Sequence, residues 1–216
     1  MNLFYQIKNN KFFWFGFLIK IAAIIFLSPV IQDKWFLKFI SFTIENFSFD
    51  PWTNFYNTGK DPLSYPYGPV MLILQLPLSF IGSVIDNLNF ASQAKNYFLS
   101  IGFKSSIFIA DLCILFVLAN LFREKVEKII LFYWLSPIVL YISYWHGQLD
   151  IFPTFLLILS LYLLKEKFFY MSAVTVGLTI ACKLSMIIAV PFICFYLLFN
   201  SRYYKIFWKF TLTILL

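Results

Sequence analysis

Between Ile129 and Leu164 the chain runs through two apolar stretches, Ile129 to Trp145 and Ile151 to Leu164, and neither carries a charge. Only Tyr144-Trp145-His146-Gly147-Gln148-Leu149-Asp150 joins them, and it holds the single histidine of the protein. Polar groups are costly at such a boundary. An ionisable side chain near the centre of a bilayer costs roughly 2.5–3.5 kcal/mol on insertion scales, so it is read first as a functional-site candidate.

The rest of the chain is of the same kind. It is 61% hydrophobic and 12% charged over 216 residues, too little polar material to cover a soluble domain. This reads as a multi-pass integral membrane protein of a bacterial or archaeal cell membrane, or of the endoplasmic reticulum in a eukaryote. The net charge of +7 first suggests a nucleic-acid binder. The cations, however, lie in short clusters flanking the apolar runs, as topology signals do, and nucleic acid is excluded as a partner.

A transmembrane helix needs roughly 20 mostly apolar residues, whereas barrel strands alternate in short segments. The runs therefore predict an all-α, polytopic transmembrane helical bundle forming a single membrane domain over residues 1–216. Candidate spans are 12–30, 65–85, about 103–122, 129–145, 151–164, 168–182 and 184–199. An eighth starts near Ile206 and is cut short at Leu216, so the chain reads as the N-terminal part of a longer protein. Lys8 and Lys11 precede the first run and no small-residue cleavage site follows Leu27-Ser28-Pro29-Val30, which predicts an uncleaved signal anchor. Cys113, Cys182 and Cys194 all fall in apolar runs, and their odd number and spacing argue against a disulfide framework or a cysteine metal site.

Charge placement sets up a conflict. Arg123, Lys125 and Lys128, then Lys165 and Lys167, then Arg202 and Lys205 occupy alternate connections, so alternation puts them all on one side, cytoplasmic by the positive-inside rule. Counting three crossings from a cytoplasmic Lys8 and Lys11 puts the same clusters outside. The three later clusters agree, so the region 65–122 is expected to cross once or three times. The Tyr65-Pro66-Tyr67-Gly68-Pro69 start and the polar stretch 86–102 suit a re-entrant or interfacial segment there.

The connection of about 31–64 then lies outside, on the side of His146. Apolar residues at 36, 39, 40, 44 and 47 keep helical spacing with Thr43 interrupting, which predicts an amphipathic helix along the membrane surface, with a packed loop as the plainer alternative. Asp50 and Asp61 are ordinary surface acids unless something brings them to a site.

Several motifs recur in order: an acid in the first external loop, Tyr65-Pro66-Tyr67-Gly68-Pro69, Lys104 with Ala110-Asp111-Leu112, Ser136-Pro137, Trp145 to Asp150, and Gly177 before Ala181-Cys182-Lys183-Leu184. In this order the chain resembles GT-C-type glycosyltransferases over about residues 12–200. The branch it resembles includes the polyprenyl-phosphate-dependent mannosyltransferases, the GPI mannosyltransferase I family and the dolichyl-phosphate-glucose glucosyltransferases. The resemblance implies a GT-C-like N-terminal module that moves a hexose, mannose foremost, from a polyprenyl-phosphate-linked donor to a lipid or glycan acceptor on the extracytoplasmic side. Its external-loop general base maps onto Asp50, with Asp61 as second candidate. A positioned carboxylate suits that role, because the attacking hydroxyl must lose its proton. Lys183, then Lys104, would stabilise the departing phosphate in a water-poor site. Tyr65, Asp111, His146, Gln148 and Asp150 are the remaining candidate substrate-binding residues.

Each of these has a duller reading. Lys104 and Asp111 are seven apart, about 10 Å along one helix face, which favours ties to neighbouring helices over a direct pair, with Asp111 as an anchor. His146 and Asp150 share a face if the helix continues, but Gly147 makes a break equally good, and a polar packing network is the alternative to a substrate role. Lys183 could snorkel, and Lys20 could snorkel or face a partner. No cofactor is implied, and Asp50 and Asp61 form no compact pair for a hard cation, so no protein-held metal is expected. Two other functions compete: a non-catalytic membrane subunit of a glycoconjugate-assembly complex, with membrane-protein partners, and a transporter, which the absence of an inverted repeat disfavours.

Overall fold

The computed structural model describes residues 3–88, 96–200 and 202–215, and among them every regular element is helical. Helices satisfy their backbone hydrogen bonds within one segment, the condition apolar surroundings impose. α1 (Leu3–Lys8) and α2 (Lys11–Phe26) meet at Asn10, whose side chain accepts from the Phe12 N–H. A π-helical turn, Gln32–Phe36, runs into α3 (Leu37–Glu45), and α4 (Pro51–Asn57) follows with Asp50 as its cap. α5 (Pro69–Leu88) and α6 (Tyr97–Leu121) form a hairpin. α7 (Arg123–Trp134) and α8 (Pro137–His146) are bent by 42° at their junction. α9 (Ile151–Lys165), α10 (Phe169–Cys182), α11 (Leu184–Phe199) and α12 (Tyr204–Leu215) complete the chain.

Two helices, α5 and α6, are long and apolar enough to cross a membrane, and the bent α7–α8 pair makes a third if it is one span. The other expected spans are apolar but shorter: α2 has 16 residues, α9 has 15 and α10 has 14. Their ends are set locally. α2 stops at Leu27 ahead of Ser28-Pro29, and α10 stops where Lys183 takes extended backbone angles.

The span expected from residue 65 begins instead at Pro69. Tyr65 to Gly68 lies irregularly against the end of α10, where the Gly68 N–H donates to the Cys182 carbonyl at 3.1 Å. A Cβ on Gly68 would sit 1.8 Å from the Ala181 oxygen, so only glycine allows this approach. Overpacking of this kind costs about 1–3 kcal/mol. Gly68→Ala is therefore expected to lower the unfolding midpoint of the purified protein, and an unchanged midpoint would remove the contact.

The amphipathic helix of the first long connection is present as α3 with its preceding π turn. Thr43 does not interrupt its apolar face: it is buried there, its hydroxyl donating to the Phe39 carbonyl at 2.8 Å. Phe47, expected on the same stripe, falls beyond the helix end and is exposed, as is Phe49. The buried face of α3 joins residues of α5, α6 and α9 in the largest core, around Phe39, Tyr65, Met71, Phe103 and Phe152.

The hairpin of α5 and α6 is closely packed. Gly82 faces Phe98 and Gly102 faces Leu78, so α5 and α6 run antiparallel at close range. The Asp86 carboxylate accepts from the Phe98 and Leu99 N–H groups at 3.0 and 2.8 Å, pinning the start of α6. Of the polar stretch expected at 86–102, residues 89–95 lie outside the described residues. α5 starts beside Cys182, at the far end of α10, whereas α6 ends at Leu121, whose carbonyl accepts from Lys165 at 2.8 Å. Tyr5, Gln6, Asn9 and Asn10 share a cleft with Arg123, Glu124 and Glu127, and the Phe169 and Tyr203 rings meet at 5.0 Å. The connections carrying Lys8 and Lys11, Arg123 to Lys128, Lys165 to Lys167 and Arg202 to Lys205 therefore gather at one end of the bundle.

Candidate functional site

Asp111 lies in the interior, with Lys20 from α2 and Tyr133 and Tyr144 from α7 and α8 around it. The Lys20 ammonium reaches its Oδ2 at 2.6 Å, and both side chains are fully buried. The Tyr133 hydroxyl donates to Oδ1 at 2.7 Å and the Tyr144 hydroxyl to Oδ2 at 2.8 Å. Lys20 also stands 3.5 Å from the centroid of the Trp134 ring, and the Trp134 N–H donates to the Phe13 carbonyl at 2.9 Å. Every strong group in this set is bonded within the protein. Asp111 ties α6 to α2, α7 and α8, and Lys20 faces a partner instead of snorkelling.

Two further expected binding residues are also interior. Lys104, buried, donates to the Leu27 carbonyl at 2.8 Å and so satisfies the C-terminal end of α2, where a cation is favoured. Like Asp111, it ties α6 to α2, as their seven-residue separation suggests. Asp33 lies nearby, and burial pushes its carboxyl above the usual carboxylate range, with Lys104 opposing. Tyr65 is 1% exposed, stacks on Phe39 at 4.8 Å and donates its hydroxyl to Gln75 Oε1 at 2.7 Å.

The residues around Gly147 and Lys183 come together at the other end from the cation clusters. The helix ends at Gly147, which has φ +88°, and a Cβ there would meet Gln32 and Pro29 at 2.7 Å. His146 and Asp150 therefore do not share a helix face. Asp150 instead forms an ion pair with Lys183 through its Oδ1, both about one-third exposed. Lys183 also lies 6.0 Å from the Tyr67 ring. His146 is half-buried with its ring 6.0 Å from that of Tyr141, and Gln148 is half-buried with its backbone N–H donating to Ile142. Tyr67, Asp150 and Lys183 thus link three stretches more than thirty residues apart in sequence.

The two acids expected in the first external loop differ. Asp50 is fully exposed, its carboxylate accepts from the Thr53 N–H at 3.1 Å, and the Thr53 side chain and backbone hold its carboxyl below the usual range. Asp61 accepts from the Leu63 N–H at 2.8 Å and lines a cleft of about 710 Å³ between α3, α4 and the turn that follows. Ser64, one residue before Tyr65, lines the same cleft. Its size falls in the range of small-molecule sites, about 300–1,000 Å³. Lys34, Lys38 and Lys60 stand around it together with Glu45, Phe42 and Phe55. Sequence reasoning did not single out these lysines. The four-residue step from Lys34 to Lys38 puts two of them on one helix face, but Lys60 arrives through a turn at Gly59 with φ +75°, which no periodicity announces.

Among the described residues, no group of three or more His, Cys, Asp or Glu is placed to hold a metal ion. The described structure defines an all-helical protein with two or three helices long and apolar enough to cross a membrane. No family model, curated protein or solved structure matches the chain.

Proposed function

We propose that the chain belongs to a multi-pass membrane glycosyltransferase of the GT-C type, moving a hexose from a polyprenyl-phosphate-linked donor to a lipid or glycan acceptor. The observation that carries the reading is the position of Asp61: of the two external acids, it is the one in a cleft of ligand size. In this reaction the acceptor hydroxyl gives its proton to the Asp61 carboxylate, the freed oxygen bonds to C1 of the sugar, and the C1–O bond to phosphate breaks with its electron pair going to the polyprenyl phosphate. The convergence of Tyr67, Asp150 and Lys183 at the end away from the cation clusters supports the same side for the chemistry. The aromatic walls Phe42 and Phe55 suit an apolar or sugar face.

One observation favours the subunit reading. Asp111 and Lys104 are committed to the interior, and Asp150 and Lys183 neutralise each other. The full protein, purified in detergent and given polyprenyl-phosphate mannose with a simple alkyl mannoside, is expected to yield glycosylated product. No turnover together with stoichiometric co-purifying membrane proteins would replace the enzyme with a subunit.

A further inference from the structure

We propose that two adjoining hollows at the cation-rich end of the bundle form a binding site for a zwitterionic phospholipid whose head carries a primary ammonium, of the phosphatidylethanolamine class. The site lies away from Asp61 and does not depend on sugar transfer.

The first ground is that a polar hollow and an apolar one share a residue. The polar hollow, about 540 Å³, lies where α6 ends, α7 begins and α9 ends, and Arg123, Glu124, Lys125, Lys165 and Glu166 line it. The apolar hollow, about 400 Å³, lies between α9 and α11 and is lined by Lys165 as well. Its floor is Leu164 and Ile193, both buried, and its rim is Leu161, Phe192 and Tyr196, all exposed. Leu161 and Phe192 stand one helical turn, about 5 Å, deeper toward the middle of the bundle than Lys165 and Tyr196, so the groove leads inward from the polar hollow. A head in the first hollow and the start of an acyl chain in the second would meet surfaces of their own kind.

The second ground is charge of both signs. Among the described residues the ion pairs are Lys20 with Asp111 and Lys183 with Asp150, so the acids and bases lining the polar hollow do not pair with one another. Lys165 gives one N–H to the Leu121 carbonyl at 2.8 Å, and an ammonium has two more. Three cations and two carboxylates around one hollow suit a head that carries both charges: phosphate oxygens accept from Arg123, Lys125 and Lys165, and a primary ammonium donates to Glu124 and Glu166. A purely anionic head sets its phosphate against those carboxylates, and like charges brought together oppose binding. A quaternary ammonium has no N–H to donate.

The full protein in dodecyl maltoside is titrated with dioleoyl phosphatidylethanolamine, phosphatidylglycerol and phosphatidylcholine, and native mass spectrometry gives the Kd of each. Phosphatidylethanolamine is expected to bind most tightly. The double variant Glu124→Gln/Glu166→Gln should raise its Kd about tenfold and lower that of phosphatidylglycerol, whereas Lys125→Gln should raise both about threefold, the scale of a solvent-exposed ion pair. A reversed preference is a result that mere loss of fold does not produce. Asp50→Asn, outside both hollows, should change neither constant. Glycerophosphoethanolamine, which has the head but no acyl chain, should fail to displace the lipid at tenfold molar excess, roughly the 1.4 kcal/mol step in affinity that such an excess offsets. The site is overturned if phosphatidylglycerol or phosphatidylcholine binds as tightly as phosphatidylethanolamine, if the double variant keeps the preference of the unaltered protein, or if glycerophosphoethanolamine displaces the lipid.

Discussion

Asp111→Ala is expected to destabilise the protein by about 3–5 kcal/mol, the range for removing one partner of a buried ion pair. The cost comes less from the lost attraction than from what stays behind. Lys20 remains fully buried without a counter-charge, and the hydroxyls of Tyr133 and Tyr144 lose their acceptor. The contact with Trp134 offsets little, since a desolvated cation–π contact contributes about 2 kcal/mol and is already present. For a chain of this size the loss corresponds to roughly 6–20 °C in unfolding midpoint. Thermal unfolding in detergent, followed by helical ellipticity, measures it. The double variant Lys20→Met/Asp111→Leu removes both charges and should recover much of the loss, and adding Tyr133→Phe and Tyr144→Phe should recover more. A midpoint for Asp111→Ala equal to that of the unaltered protein would mean the anchor is not used.

Asp61→Asn is expected to lower the rate of sugar transfer by about 10²–10⁴, the usual contribution of a positioned general base. Asparagine keeps the size of the side chain and can still accept from the Leu63 N–H, so the fold around the cleft should persist. Asp50→Asn is the matched control. It keeps a good N-cap, and because Asp50 is exposed and outside the cleft, transfer should stay at the rate of the unaltered protein. Steady-state kcat and KM with polyprenyl-phosphate mannose distinguish the cases: a loss in kcat with Asp61→Asn alone supports the assignment. The reverse pattern would return the role to Asp50, and equal activity of both variants would remove an external-loop base.

The two variants differ in how far sequence could foresee them. Asp111 as an anchor and its ties across helices were legible, because an acid in an apolar run must find partners. Which partners was not legible: Lys20, Tyr133 and Tyr144 lie 91, 22 and 33 residues away, and no periodicity connects them. The amphipathic α3 was readable from its spacing. Thr43 was misjudged because a local bond from its hydroxyl to Phe39 lets a polar residue sit on a buried face. The helix start at 65 was misplaced because the restraint is a contact with Ala181 and Cys182, more than a hundred residues on.

Sequence by itself determined that this protein is helical and apolar, where the first long connection forms an amphipathic helix, and where its cations flank the apolar runs. These are matters of composition and local period, set by the physics of each segment alone. Tertiary structure decided the rest. It brought the cation clusters to one end, turned Lys104, Tyr65 and Asp111 inward, paired Asp150 with Lys183, and set Asp61 and not Asp50 in the cleft. Each of these depends on which distant segment supplies the partner for a buried or converging polar group, and that is fixed only when the helices pack.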